Sequence, residues 1–219
     1  MDAVIFDMDG VIVDSEVHWK TTEGFFLQSL VPAWNIDDQD KIIGLAVHDV
    51  YKMLVETYQL QKTKAQFLEL YQEMANEIYG QKVSLIEGFP KLLSSLNKHD
   101  IPVALASSSP KTWIDIVLQR FDLLKSFQAV VSADELEGNG KPSPAIYLLA
   151  ARRLGVNPER CIAIEDSKNG VLSAKSAGMF CIGFRNGFND EQDLSRADMV
   201  IRRFGELDWQ TLQQLLTIQ

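Results

Sequence analysis

The chain has 219 residues and a formal net charge of −9; 46 % of its residues are hydrophobic and 23 % are charged, an ordinary globular mixture. That length suits one large domain, or a medium domain with a smaller one inserted or appended. The acidity, with no basic stripe along the chain, excludes an electrostatic grip on nucleic acid or anionic lipid, and no apolar run reaches the roughly 18 residues of a membrane span.

Met1 and Asp2 lead straight into Ala3-Val4-Ile5-Phe6, a strand-like run with no basic region before it, so no signal peptide is read. Residues 15 to about 81 then contain no strand-like run. They carry helical spacing instead, in Val50, Leu54, Val55 and Tyr58 and in Phe67, Leu70, Tyr71, Met74 and Ile78. Beyond them the pattern alternates. Short apolar runs at Val103–Ala106, Ala129–Val131, Ile162–Ile164, Ile182–Phe184 and Met199–Ile201 suit strands buried on both faces of a parallel sheet. Helix-length stretches lie between them: Pro90–Leu96, Lys111–Phe121 after Ser109-Pro110, Pro144–Leu154 ending at Gly155, and Asn169–Ala177 ending at Gly178. This rhythm predicts an α/β fold. Its core is a doubly wound, Rossmann-like parallel sheet over residues 1–14 and 82–219, with an inserted α-helical cap domain over 15–81. The cysteines, Cys161 and Cys181, each precede an apolar run; they read as buried free thiols, which implies a reducing, cytoplasmic compartment.

Four segments concentrate chemistry at strand ends. Asp7-Met8-Asp9-Gly10 follows the first strand. If the strand continued, Asp7 and Asp9 would face the same way. Carboxylates side by side repel unless a cation joins them, and Mg²⁺ prefers oxygen ligands. Alone, the segment equally fits a solvated acidic turn. Ser107-Ser108-Ser109 ends the second strand with hydroxyls ahead of a helix start, where free N–H groups can hold a phosphate or the serines can simply cap. Gly140-Lys141-Pro142 places a lysine before another helix start; taken alone it is a solvated surface lysine. Glu165-Asp166-Ser167 puts two more carboxylates at a strand end.

In that order, the four segments with the helical insertion resemble the haloacid dehalogenase superfamily of phosphohydrolases and phosphomutases, over the whole chain. Asp7-Met8-Asp9-Gly10-Val11, Asp14-Ser15-Glu16, Ala106-Ser107-Ser108-Ser109-Pro110, Gly140-Lys141-Pro142 and Glu165-Asp166-Ser167 look like its β-phosphoglucomutase and sugar-phosphatase branch. The resemblance implies that Asp7 is the nucleophile forming an aspartyl-phosphate and Asp9 the general acid and base. It implies that Ser107 and Lys141 hold the phosphoryl group, with Ser108 a substrate-binding candidate beside them. Mg²⁺ would be held by Asp7, Asp9 through its backbone carbonyl, and Asp166, with Glu165 ligating or orienting.

The cap departs from the mutase pattern. There an arginine follows a Gly-Val-Ser turn and grips a second phosphate. Here the stretch is Gly44-Leu45-Ala46-Val47-His48, with Val47 at the arginine's place, and Glu69 stands where the mutase has a lysine. Gly44 and His48, together with His18 near the hinge, are the candidate substrate contacts. The expected activity is therefore a Mg²⁺-dependent phosphatase of small phosphate esters, in the sugar-phosphate class, acting as a monomer with no nucleic-acid or membrane partner. A phosphomutase is the alternative. A receiver-like phosphoacceptor domain is remote, since such domains have about half this length and lack the insertion. Gly138-Asn139-Gly140-Lys141 fails as a P-loop: Glu135 takes the first glycine's place and Pro142 that of the Ser or Thr.

Overall fold

The structure is a computed structural model and describes residues 2–35, 38, 42, 47–136 and 138–217. The chain divides into two compact units, Met1–Asp14 with Ser84–Gln219, and Ser15–Val83.

The larger unit holds a six-stranded sheet. Its strands are β1 (Ala3–Phe6), β2 (Val103–Ser107), β3 (Ala129–Ser132), β4 (Cys161–Glu165), β5 (Phe180–Phe184) and β6 (Met199–Ile201), in the order β3-β2-β1-β4-β5-β6. Every pairing is parallel. Successive residues of a strand face opposite sides, and the two faces differ in size. Ala3, Ala104, Ala106, Ala129, Cys161, Ala163 and Cys181 share a buried layer with Tyr147, Ala150, Val171 and Ala174 of the helices. Small residues there let α6 (Ala145–Leu154) and α7 (Lys168–Ser176) approach closely. On the alternate positions of β1, Phe6 meets Phe89 edge-on at 5.3 Å, docking α4 (Phe89–Lys98). α5 (Lys111–Arg120) follows β2.

The expected strands and helices are all present, with ends moved by a few residues. Gly155 closes α6 in the left-handed conformation (φ +71°), as a C-terminal glycine does. Pro110 is the N-cap of α5, immediately before Lys111, where the sequence pattern begins the helix. Both cysteines are buried free thiols, and no helix among the described residues is long and apolar enough to cross a membrane.

Strand order matters for the site. From β1 the chain builds toward β3 on one side, then returns to place β4 on β1's other flank. Ligands of open α/β sheets bind where that reversal opens a crevice at the strands' C-terminal ends.

The smaller unit is helical: α1 (Ser15–Leu30), α2 (Val47–Tyr58), α3 (Lys64–Glu77) and a π-turn over Ile78–Lys82. Thr63 and Gln66 form a capping box at the start of α3, each side chain accepting the other's backbone N–H. Its interior is aromatic. Phe67 and Tyr71 lie 4.7 Å apart, Phe26 meets Tyr71 edge-on at 5.3 Å, and the Trp19 indole donates to the Tyr79 hydroxyl at 3.0 Å. The larger unit ends in α8 (Trp209–Thr217), a helix that the sequence patterns above do not mark.

Candidate active site

β1 stops at Phe6, so the strand continuation considered for Asp7 and Asp9 does not occur. Register explains where Asp7 goes. Phe6 pairs with Ile164, and the Asp7 N–H donates to the Ile164 carbonyl at 3.0 Å. Asp7 therefore stays at the mouth of β4. The chain then turns sharply: the Ile12 and Val13 N–H groups donate to the Met8 carbonyl, and Gly10 takes φ +72°. Asp9 consequently faces another way. Its Oδ2 accepts the Ser109 hydroxyl at 2.7 Å, with the Ser107 hydroxyl at 3.5 Å.

Lys141 joins the strands. Its Nζ donates to Asp7 Oδ1 at 2.5 Å, to Glu165 Oε1 at 2.5 Å and to the Ala106 carbonyl at 3.1 Å. The lysine side chain is only 6 % exposed, so reading it alone as a solvated lysine does not hold. Glu165 is held at both oxygens. Tyr147 donates its hydroxyl to Oε1 at 2.7 Å; the N–H groups of Asp166 and Ser167 and the Ser167 hydroxyl donate to Oε2. Gly170 in the first turn of α7 leaves room for this carboxylate, since a Cβ there would lie 1.9 Å from it. Asp166 is set by asparagines: Asn186 Nδ2 donates to its Oδ2 at 2.9 Å and to the Gly10 carbonyl at 3.0 Å, while Asn189 donates to its backbone carbonyl at 2.7 Å.

Asp7, Glu165 and Asp166 bring carboxylate oxygens within 4.8 Å of one another, all buried. One lysine faces three acids in a low-dielectric setting. Burial accordingly pushes the Asp7 carboxyl up to about 8; Lys141 works against this, and the Glu165 and Asp9 carboxylates add to it. For Lys141, burial alone would lower the ammonium, but Asp7 and Glu165 outweigh it and hold the group well above its usual range. This uncompensated negative charge, with two oxygen-rich side chains at its edge, fits a divalent cation held by Asp7 and Asp166. Glu165 is already saturated by five donors, so it suits orienting Lys141 better than binding a metal. The Asp9 carboxylate lies outside the three-acid cluster, on Ser109.

Ser108 is exposed at the end of β2. The Lys111 N–H at the start of α5, one of the groups considered for phosphate, instead donates to Asp134 Oδ2 at 2.8 Å. His18 sits half-buried on α1. His48 on α2 is largely exposed, with its Nε2 3.3 Å from Asp49 Oδ1. Gly44 lies outside the described residues. Ser109, Tyr147, Asn186 and Asn189 were not singled out as site residues from sequence. Ser109 alone had a local signal, its place in the serine run; the others reach the site from distant segments. A cleft of about 650 Å³ borders Asn186 but is lined by Asp14, Phe188, Arg202 and Arg203, without Asp7, Asp9, Ser107 or Lys141; the site chemistry, not that cleft, marks the candidate centre.

Residues 4–184 match the model of the haloacid dehalogenase-like hydrolase family. The chain belongs to that family. Among relatives of this hydrolase, the phosphorylated carbohydrates phosphatase of Thermotoga maritima is 34 % identical over 201 residues, covering 91 % of this chain and 93 % of that protein. The β-phosphoglucomutase of Bacillus subtilis is 33 % identical over 226 aligned positions, covering 98 % and 95 %. CbbY from Rhodobacter sphaeroides, solved in complex with phosphate, superimposes with a TM-score of 0.83 at 22 % identity, over 97 % of this chain and 99 % of that one; this likeness shows the fold alone.

Proposed function

We propose that the protein is a Mg²⁺-dependent phosphatase of small phosphate esters, in the sugar-phosphate class, working through an aspartyl-phosphate. The observation that carries this is the buried group of Asp7, Lys141 and Asp166 at the sheet's switch point, with Asp9 held beside it. The likeness to a phosphatase of phosphorylated carbohydrates supports the substrate class.

In this mechanism a carboxylate oxygen of Asp7 attacks phosphorus. The ester P–O bond breaks, and Asp9 delivers a proton to the departing oxygen. Asp9 then removes a proton from water, which attacks the aspartyl-phosphate and frees inorganic phosphate and Asp7. Lys141 holds the nucleophile in place and, with the Ser107 hydroxyl, binds the phosphoryl oxygens. Asp7 and Asp166, with the Asp9 backbone carbonyl, would hold Mg²⁺; when bound it supplies positive charge that, with Lys141, offsets carboxylate–phosphate repulsion. Residues 15–81 serve as the substrate-selecting cap, with His18, Gly44 and His48 as its candidate contacts.

The second reading is a phosphomutase, favoured by the likeness to β-phosphoglucomutase. Val47 and Glu69, standing in place of the mutase cations, weigh against it. Phosphorus NMR of β-glucose 1-phosphate with a bisphosphate activator separates the two. Free phosphate is expected; rapid glucose 6-phosphate without free phosphate would establish the mutase instead. Asp7→Asn should abolish both outcomes.

A further inference from the structure

We propose that Ser109 is a positioning residue for Asp9, fixing its carboxyl group for proton transfer to the departing alcohol oxygen. The inference rests on the phosphatase reading above, in which Asp9 is the acid. Ser109 is 8 % exposed, and its hydroxyl donates to Asp9 Oδ2 at 2.7 Å, a strong distance for a hydroxyl–carboxylate bond. The torsion that turns a carboxyl group is broad and soft, so a general acid needs an outside group to set its plane. Ser109 is well placed for this because it is itself tied on both sides. Its N–H donates to Ser107 Oγ at 3.0 Å, and its carbonyl accepts the Ser132 hydroxyl at 2.8 Å. Ser107 ends β2 and Ser132 ends β3, and both are fully buried. The Asp9 carboxyl is thereby referenced to the ends of β2 and β3. With the Ser109 hydrogen directed at Oδ2, the acid's proton sits on Oδ1. That proton goes to the ester oxygen as the P–O bond breaks and the Asp7–phosphorus bond forms; Ser109 is not consumed.

Leaving-group dependence separates this role from a merely structural one. An alkoxide leaving from a sugar phosphate requires the acid, whereas p-nitrophenolate departs as a stable anion and needs it far less. The quantity to measure is kcat/KM, which covers steps through departure of the alcohol. The two probes are p-nitrophenyl phosphate and the sugar phosphate that the wild type hydrolyses fastest. Ser109→Ala is expected to lower the sugar-to-aryl ratio by about tenfold to a hundredfold, part of the roughly 10²–10⁴ that a general acid contributes. Ser109→Thr, which keeps the hydroxyl, should restore most of it. Should Ser109→Ala not fold, Ser109→Cys carries the same comparison against Ser109→Thr, the weak thiol donor giving the lower ratio. An unchanged ratio, with both esters slowed alike or neither slowed, would overturn the assignment while leaving the phosphatase reading intact. A wild type that releases phosphate from neither ester would overturn the phosphatase reading, and the role of Ser109 with it.

Discussion

The Tyr147 hydroxyl and Lys141 Nζ converge on a single atom, Glu165 Oε1, at 2.7 and 2.5 Å. The lysine also lies 5.3 Å from the centre of the Tyr147 ring. Burial pushes the phenol well above its ordinary range, so it remains a donor across neutral and mildly alkaline pH. Tyr147→Phe removes one donor from a buried carboxylate without changing the ring. A hydrogen bond to a charged group contributes about 1.5–3 kcal/mol, and the variant should lose stability of that order. Urea unfolding reads it directly; an unchanged midpoint at unchanged slope would mean that Lys141 alone satisfies Oε1.

Gly10 has no spare room. A Cβ built there falls 2.0 Å from Asp166 Oδ2 and 2.8 Å from Asn186 Nδ2, at φ +72°. Gly10→Ala therefore meets left-handed backbone strain of about 1–2 kcal/mol and must also push the Asp166 carboxylate aside. Both a lower unfolding midpoint and at least roughly tenfold weaker Mg²⁺ binding are expected. Calorimetric titration of the folded variant with Mg²⁺ measures the second effect. Wild-type affinity would show that Asp166 tolerates the displacement or is not a ligand.

The sheet was legible because strands buried on both faces read as continuous apolar runs, and Val4–Phe6 or Ile162–Ile164 allow little else. Asp7, Ser107 and Asp166 were legible because a strand's end is where such folds present side chains. Lys141 was legible only through the order of the segments, since nothing local distinguishes a buried lysine from a solvated one. The divergence of Asp7 and Asp9 was not legible: it follows from Gly10 turning the chain after Phe6, where alternation no longer applies. Asn186 and Tyr147 were hidden for a different reason. Asn186 bonds a carbonyl 176 positions away, and Tyr147 reaches Glu165 from the small-residue face of the sheet. Such contacts belong to the packing of α6 and of the segment after β5, and no local spacing encodes them.

Asn186 holds Asp166 Oδ2 and the Gly10 carbonyl with one amide group. Asn186→Ala removes both bonds without introducing bulk. Partners that orient metal ligands commonly contribute 10- to 100-fold in affinity, so Mg²⁺ binding should weaken within that range, with circular dichroism unchanged. If the Mg²⁺ isotherm of the variant overlays that of the wild type, Asn186 has no part in presenting Asp166 to a metal.

Cys161 and Cys181 provide a test of the core. Cys161 is 1 % exposed and its thiol donates to the Asn157 carbonyl at 3.4 Å. Burial, with Asp2 adding to it, pushes the Cys161 thiol up to about 12. Cys181 is driven higher, by burial first and then by the Glu165 and Asp198 carboxylates. An unfolded thiol titrates at about 8.5, so at pH 8 the folded thiolate fraction at Cys161 should be roughly 10³-fold lower. Native protein should therefore resist an aromatic disulfide reagent, and both thiols should react promptly once urea unfolds the chain. Between the unfolded and folded titrations only the unfolded state releases these protons. Stability is thus held below the unfolded value and declines as pH rises above it. Replacing Cys161 with Ala should flatten that alkaline decline; rapid labelling of native protein at pH 8 would mean that β4 opens to solvent far more often than its burial allows.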